Sequence, residues 1–119
     1  MQYMLLIYDN EKMWPSMDEK ERNALMGEYY AFTEEVKKAG KLLAGDALQA
    51  TNTASTVRVR NGKALTTDGP FAETKEQLGG YYLVEAKDLD EAIALAARIP
   101  STSYGGTIEV RPIFATPPV

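Results

Sequence analysis

Between Thr66 and Lys87 the chain gathers acids, a lysine and tyrosines around one turn: Asp68-Gly69-Pro70-Phe71-Ala72-Glu73-Thr74-Lys75-Glu76, followed by Gly79-Gly80-Tyr81-Tyr82. Asp68 is the leading candidate for proton transfer. It would serve as general acid or base if burial or a neighbouring carboxylate, Glu73 or Glu76, raised its pKa towards neutrality. The competing reading is that Asp-Gly-Pro is a turn by its own chemistry, with Asp68 bonding back to its own backbone. Lys75 suits a clamp on an anionic or polar ligand, or a plain solvated loop charge. Tyr81 and Tyr82 point to opposite faces of a regular strand, so one belongs to the core and the other faces the open side, where its ring would line a pocket. Arg111 stands two residues from Glu109 on one strand face, which fits a structural ion pair or a guanidinium that recognises a ligand.

The elements that carry these residues follow from periodicity and punctuation. Residues 2–8 form a strand with Met4, Leu6 and Tyr8 on one face and Tyr3, Leu5 and Ile7 on the other. Two apolar faces predict a central strand covered on both sides. Asp9 to Pro15 reads as a loop. Ser16 with Glu19 reads as a capping box opening a helix to about Ala39, with Leu25, Tyr29, Phe32 and Val36 on its inner face. Gly40 stops that helix, and 41–49 is a second strand. Asn61-Gly62 predicts a hairpin between 57–60 and 63–66, with Arg58 and Arg60 on its polar face. Residues 78–86 form another doubly apolar strand. Asp88 and Glu91 cap a second helix whose stripe is Leu89, Ala92, Ile93, Ala96 and Ile99, ended by Pro100. Residues 107–113 form the last strand, placed at an edge by Pro112, and Thr116–Val119 is a tail.

This order, β-α-β, hairpin, β-α-β, is the split βαβ arrangement of an α+β, ferredoxin-like βαββαβ fold with an inserted β-hairpin. Two helices cover only one face of the sheet. A second subunit is the simplest cover for the other, so a homodimer is expected. In that topology Tyr8, the turn at Asp68 and the loop of Tyr104 converge at one end of the sheet, giving aromatic walls beside an acid. The Asp9–Pro15 loop is the only other segment that reaches this entrance.

Composition narrows the chemistry. With 119 residues the chain is one domain, 1–119, with a moderate core. It contains no cysteine and no histidine, which removes disulfides, thiolate sites, the commonest metal ligand and the side chain best suited to proton transfer near neutrality. A net charge of −4 argues against nucleic acid. The first apolar run is too short for a signal peptide or membrane span, so no membrane partner and a cytoplasmic location are expected. No phosphate loop, nucleophile elbow, zinc spacing or dinucleotide fingerprint occurs, and neither a cofactor nor a metal is expected.

Asp68 to Glu76, Gly79 to Tyr82 and Glu109-Val110-Arg111-Pro112 together resemble the YCII-related proteins of the DGPF type, over nearly the whole chain from Tyr3 to Pro112. The resemblance implies a ferredoxin-like protomer that pairs into a dimeric α/β barrel. YCII relatives outside the DGPF branch are associated with a His–Asp pair, which a chain without histidine lacks. Two functions follow. One is binding of a small polar molecule beside the DGPF turn, with Asp68 transferring a proton and Tyr8, Phe71, Lys75, Tyr81, Tyr82, Tyr104 and Arg111 contacting the ligand. The other is a non-catalytic regulatory or interaction module, because many DGPF relatives are encoded beside extracytoplasmic-function sigma factors.

Overall fold

The computed structural model describes residues 1–115, and the tail Thr116–Val119 lies outside them. Four strands form one antiparallel sheet: β1 (Gln2–Asp9), β2 (Leu42–Ala47), β5 (Gln77–Glu85) and β6 (Thr107–Pro112), in the order β2-β5-β1-β6. This is the ferredoxin-like order, with the two doubly apolar strands β1 and β5 in the centre. Pro112, which has no donor, falls on the edge strand β6, opposite Tyr3. Tyr3, Leu5 and Ile7 are buried on the face that carries the helices, together with Tyr82 and Val84. Met4, Leu6, Tyr8 and Leu83, on the other face, are only half-buried.

Helix α2 (Glu19–Lys38) lies on the inner face through Leu25, Phe32 and Val36, with Phe32 edge-on to Tyr82 at 5.4 Å between ring centroids. Its cap differs from the expected one. Asp18, not Ser16, accepts from the backbone of Glu21, and Glu21 reaches back to the Asp18 N–H. Ser16 instead closes a single-turn helix, α1 (Met13–Ser16), by donating to the Met13 carbonyl. Both segments satisfy the same acid-at-third-position pattern, and Met17 between them is buried. Helix α3 (Leu89–Ala96) starts at Asp88 as expected, but its buried stripe is Ala92, Leu95, Ala96 and Ile99. Leu89 and Ile93 are about half exposed, because α3 is turned so that Leu95 enters the core in their place.

The hairpin of β3 (Ser55–Arg60) and β4 (Lys63–Asp68) forms a separate two-stranded sheet. Asn61 and Gly62 both take positive φ, as an Asn-Gly turn requires. Arg58 and Arg60 share one hairpin face with Lys63 and Leu65 and are exposed, whereas Val57, Val59 and Ala64 occupy the other. No helix among the described residues is long and apolar enough to cross a membrane.

The capping geometry has a direct test. Asp18→Ala should lower stability by about 1 kcal/mol, read by urea denaturation, because the Glu21 amide loses its side-chain partner. Ser16→Ala should cost clearly less, since Ser16 caps nothing in α2; equal losses would return the cap to Ser16.

Candidate functional site

The end of β1 opens into a cavity of about 660 Å³. Its floor is the sheet at Ile7, Gly80 and Tyr82. One wall is α2 at Leu25, Met26 and Tyr29, another is the strand end and loop from Gly45 to Ala50, and Met13, Trp14 and Pro15 stand at its rim. The lining is mostly apolar. No lysine or arginine contributes to it, whereas Asp9, Glu11 and Asp46 do.

Two buried polar atoms behind the lining have no hydrogen-bond partner among the described residues: Asp9 Oδ1 and Ser101 Oγ. A buried polar atom without a partner costs about 1–3 kcal/mol, and more when charged, so two together call for an explanation. Asp9 is the last residue of β1 and continues the inward positions of Tyr3, Leu5 and Ile7. Ser101, 1% exposed, sits in the 3-10 turn Pro100–Tyr104 that follows α3. Gly106 brings the two together. Its N–H donates to the Ser101 carbonyl at 2.8 Å, and a Cβ at this position would fall 2.3 Å from Asp9 Oδ1 and 2.8 Å from Ser101 Oγ. Any side chain at 106 would displace the pair.

Desolvation pushes the Asp9 carboxyl above the ordinary aspartate value, and the nearby Glu76 carboxylate pushes it the same way. Tyr29 is likewise raised, first by burial, while neighbouring Ser101 opposes the shift without meeting hydrogen-bond geometry. Burial also raises the Tyr82 phenol, against the 2.8 Å hydrogen bond it shares with Thr33. The other two acids of the lining are engaged. Glu11 accepts from the Thr51 N–H at 2.6 Å and its hydroxyl at 2.9 Å, and Asp46 accepts from the Tyr81 hydroxyl at 2.7 Å.

A smaller cavity, about 300 Å³, adjoins the Asp68–Glu76 turn and is lined by Thr51, Asn52, Pro70, Ala72, Glu73, Thr74 and Gln77. Glu11 connects the two cavities. It lines the larger one, bonds Thr51 of the smaller, and its N–H donates to Gln77 Oε1 at 3.0 Å. Among the described residues no group of three acids could hold a metal ion.

Of the residues singled out from sequence, Tyr81 and Tyr82 line the larger cavity. Asp68 ends β4 in solvent, and its carboxylate accepts no hydrogen bond among the described residues. The turn after it is held instead by Gly69, at φ 100°, whose N–H donates to Ala54 and whose carbonyl accepts from Thr56. Phe71 and Lys75 are exposed on the turn and line neither cavity. Tyr8, opposite Leu78 and Thr107, lies half-buried on the open sheet face. Tyr104 is half-buried in the 3-10 turn, and Arg111 pairs with Glu109 at 3.0 Å in solvent. Asp9, Ser101, Tyr29 and Trp14 were not singled out. The available signal for Asp9 was an acid at the next inward position of a buried strand face, and for Ser101 the Gly105-Gly106 pair that permits close approach.

The family model of the YCII-related domain matches residues 1–116. An uncharacterised protein of Rhizobium meliloti (strain 1021) is 38% identical over 117 residues, covering 95% of this chain and 92% of its own. Among solved structures, the 5-chloro-2-hydroxyhydroquinone dehydrochlorinase TftG from Burkholderia phenoliruptrix AC1100, in complex with 2,5-dihydroxybenzoquinone, has a similar fold. The TM-score is 0.56 at 17% identity, covering 95% of this chain and 93% of TftG.

The raised Asp9 predicts a pH signature. An acid whose pKa is higher folded than unfolded stabilises the fold only while protonated, so its contribution falls as pH rises from about 4, the unfolded aspartate value, through the raised value. Asp9→Asn should therefore raise Tm at pH 7 to 8 relative to wild type, with the gap closing towards about pH 4. A mutant less stable than wild type at pH 8 would refute the buried, unpartnered carboxylate.

Proposed function

Because the chain belongs to the YCII-related domain family, we propose that it binds a small molecule with an apolar body in the cavity at the end of β1, where Asp9 exchanges a proton with it. The observation that carries this reading is Asp9 itself, an acid in the lining of a mostly apolar chamber, whose carboxyl is raised by desolvation and by Glu76. Proton exchange calls for a carboxyl at the cavity with a pKa above the ordinary range, and Asp9 is the acid of the lining with that shift. TftG, which has the same fold, binds a small hydroxylated ring; that likeness is one of fold.

The proposal includes a homodimer. The open face presents Met4, Leu6 and Leu83 half-buried, with Leu43 and Leu78 more exposed. A second copy packed sheet to sheet would cover this apolar face. The expected location is cytoplasmic.

Two measurements test the proposal. In a thermal-shift screen of small molecules, stabilising compounds should lose their effect in Asp9→Asn and in Met26→Trp, which fills the cavity mouth, yet keep it in Asp68→Asn. The reverse pattern would move the site to the DGPF turn and assign proton transfer to Asp68. Light scattering at micromolar concentration should give twice the 13.1 kDa chain mass; a monomer would remove the dimer.

A further inference from the structure

We infer that the hairpin of β3 and β4 is an arm that docks on a second copy of the chain, adding its strands to the free edge of β2 and backing the cavity wall there. The inference rests on the homodimer proposed above and goes beyond it, because it gives the partner copy a part in the site. The hairpin is a two-stranded sheet joined to no strand of the main sheet. Two strands alone are marginal in water, and Val57 and Val59, each 62% exposed, share one bare face with Ala64. Its own chain holds it at the root, where Gly69 donates to Ala54 and accepts from Thr56, and leaves the valines uncovered.

The two edges of the main sheet are guarded differently. β6 carries Pro112 together with the charged Glu109 and Arg111, which discourage a further strand. β2 pairs with β5 alone, and its other side is unpaired among the described residues. Its sequence, Leu-Leu-Ala-Gly-Asp-Ala, has neither proline nor lysine, and its one charge, Asp46, accepts from the Tyr81 hydroxyl. Such an edge is a template for an incoming strand. The same strand end, at Gly45, Asp46 and Ala47, is a wall of the cavity, so an arm laid along it backs that wall.

Charge selects a second copy as the receiver. Residues 55–68 carry Arg58, Arg60 and Lys63 against Asp68, a net +2 within a chain of −4, so the remainder stands at −6. None of the three cations forms an ion pair among the described residues. The cavity lining, in contrast, holds Asp9, Glu11 and Asp46 and no lysine or arginine. A basic arm on an acidic body is complementary to another copy of itself, and in a two-fold pair each copy gives and receives an arm. The faces match as well. Arg58 and Arg60 alternate with Val57 and Val59, so they project on the opposite side of the hairpin. Docked with its valines continuing the open face of Met4, Leu6 and Leu83, the arm turns its arginines to the helix side, towards the acids of the cavity.

Hydrogen exchange on the full chain, followed by mass spectrometry from nanomolar to micromolar concentration, reads the docking directly. Amides of residues 42–48 and 55–68 should slow together by about tenfold or more as the dimer forms, because outward N–H groups of both edges gain partners. Arg58→Glu combined with Arg60→Glu, both exposed, should weaken the dimer by about tenfold or more and return both segments to fast exchange. The wild-type exchange decides the matter even if that variant folds poorly. Slowing confined to either segment, or a variant that dimerises as tightly as wild type, overturns the arm docking and leaves a sheet-to-sheet homodimer standing. A monomer by light scattering at micromolar concentration removes the arm docking and the homodimer together, while ligand binding in the cavity is judged separately by the thermal-shift screen.

Discussion

Everything at the candidate site depends on how β1 pairs with β5. The two central strands run in register from Gln2 opposite Glu85 to Ile7 opposite Gly80, and then slip, so that Tyr8 meets Leu78 and Gly79 is left over. A bulge of this kind bends the strand and ends regular pairing. Here it sets Asp9 opposite Gln77, at the point where the sheet stops and the cavity begins. Gly80, buried beneath, leaves the β2 backbone close: a Cβ there would stand 3.0 Å from the Asp46 carbonyl. The glycine pair thus serves both sides of the strand end, one residue supplying the slip and the other the close approach.

The cost of this arrangement is concentrated in a few atoms. The core of Tyr3, Leu5, Ile7, Phe32, Val84, Leu95 and Ile99 is apolar and continuous. At its end an acid and a serine are buried without partners, against the rule that nearly all buried polar groups are paired. Local departures of this kind from an otherwise consistent sequence are where function is sought, because nothing about folding rewards them. Glu76 worsens the position of Asp9 by like-charge repulsion, and Gly106 holds Ser101 in place at the cost of a side chain. Both features work against stability and in favour of an unfilled acceptor.

How much of this was legible in the sequence varies with the kind of signal. Asn61-Gly62, Gly40, Asp88 with Glu91, and Pro112 each act through their own backbone chemistry, and each stands where that chemistry put it. The alternation in β1 and β5 likewise told which strands are central. Signals that recur in neighbouring registers were weaker guides. Ser16-x-x-Glu19 and Asp18-x-x-Glu21 both have the capping-box pattern, and only the second forms the box, Ser16 being engaged with Met13 in the preceding turn. Leu89 and Ile93 fit a helical stripe as well as Leu95 does, and the tertiary docking of α3 chose between them. The cavity was hardest, because it joins residues from β1, α2, the segment after β2 and the turn after α3. Asp9 looked like the first residue of a loop, and its meaning comes from Ser101 and Gly106, which lie more than ninety positions away.

The DGPF turn drew attention because its residues are chemically conspicuous, yet the structure gives it a different relation to the cavity. Asp68, Phe71 and Lys75 face solvent, while the residues that follow them reach inward. Glu76 raises the Asp9 carboxyl, and Gln77 accepts from the Glu11 backbone, whose side chain in turn ties down Thr51. The turn therefore acts on the larger cavity through its trailing end, by field and by hydrogen bond. Its leading end belongs to the hairpin, where Gly69 pairs with Ala54 and Thr56. That hairpin is a two-stranded sheet on its own, an arrangement marginal in water without something to pack against. The molecule measures 48 × 43 × 19 Å with a radius of gyration of 16.4 Å. A compact domain of this length has roughly 13 to 14 Å. The excess is the extended arm and the thin single layer of sheet and helices. The Asp68–Glu76 turn therefore joins that arm at Asp68 to the cavity end at Glu76 and Gln77, where charge and hydrogen bonding meet Asp9 and Glu11.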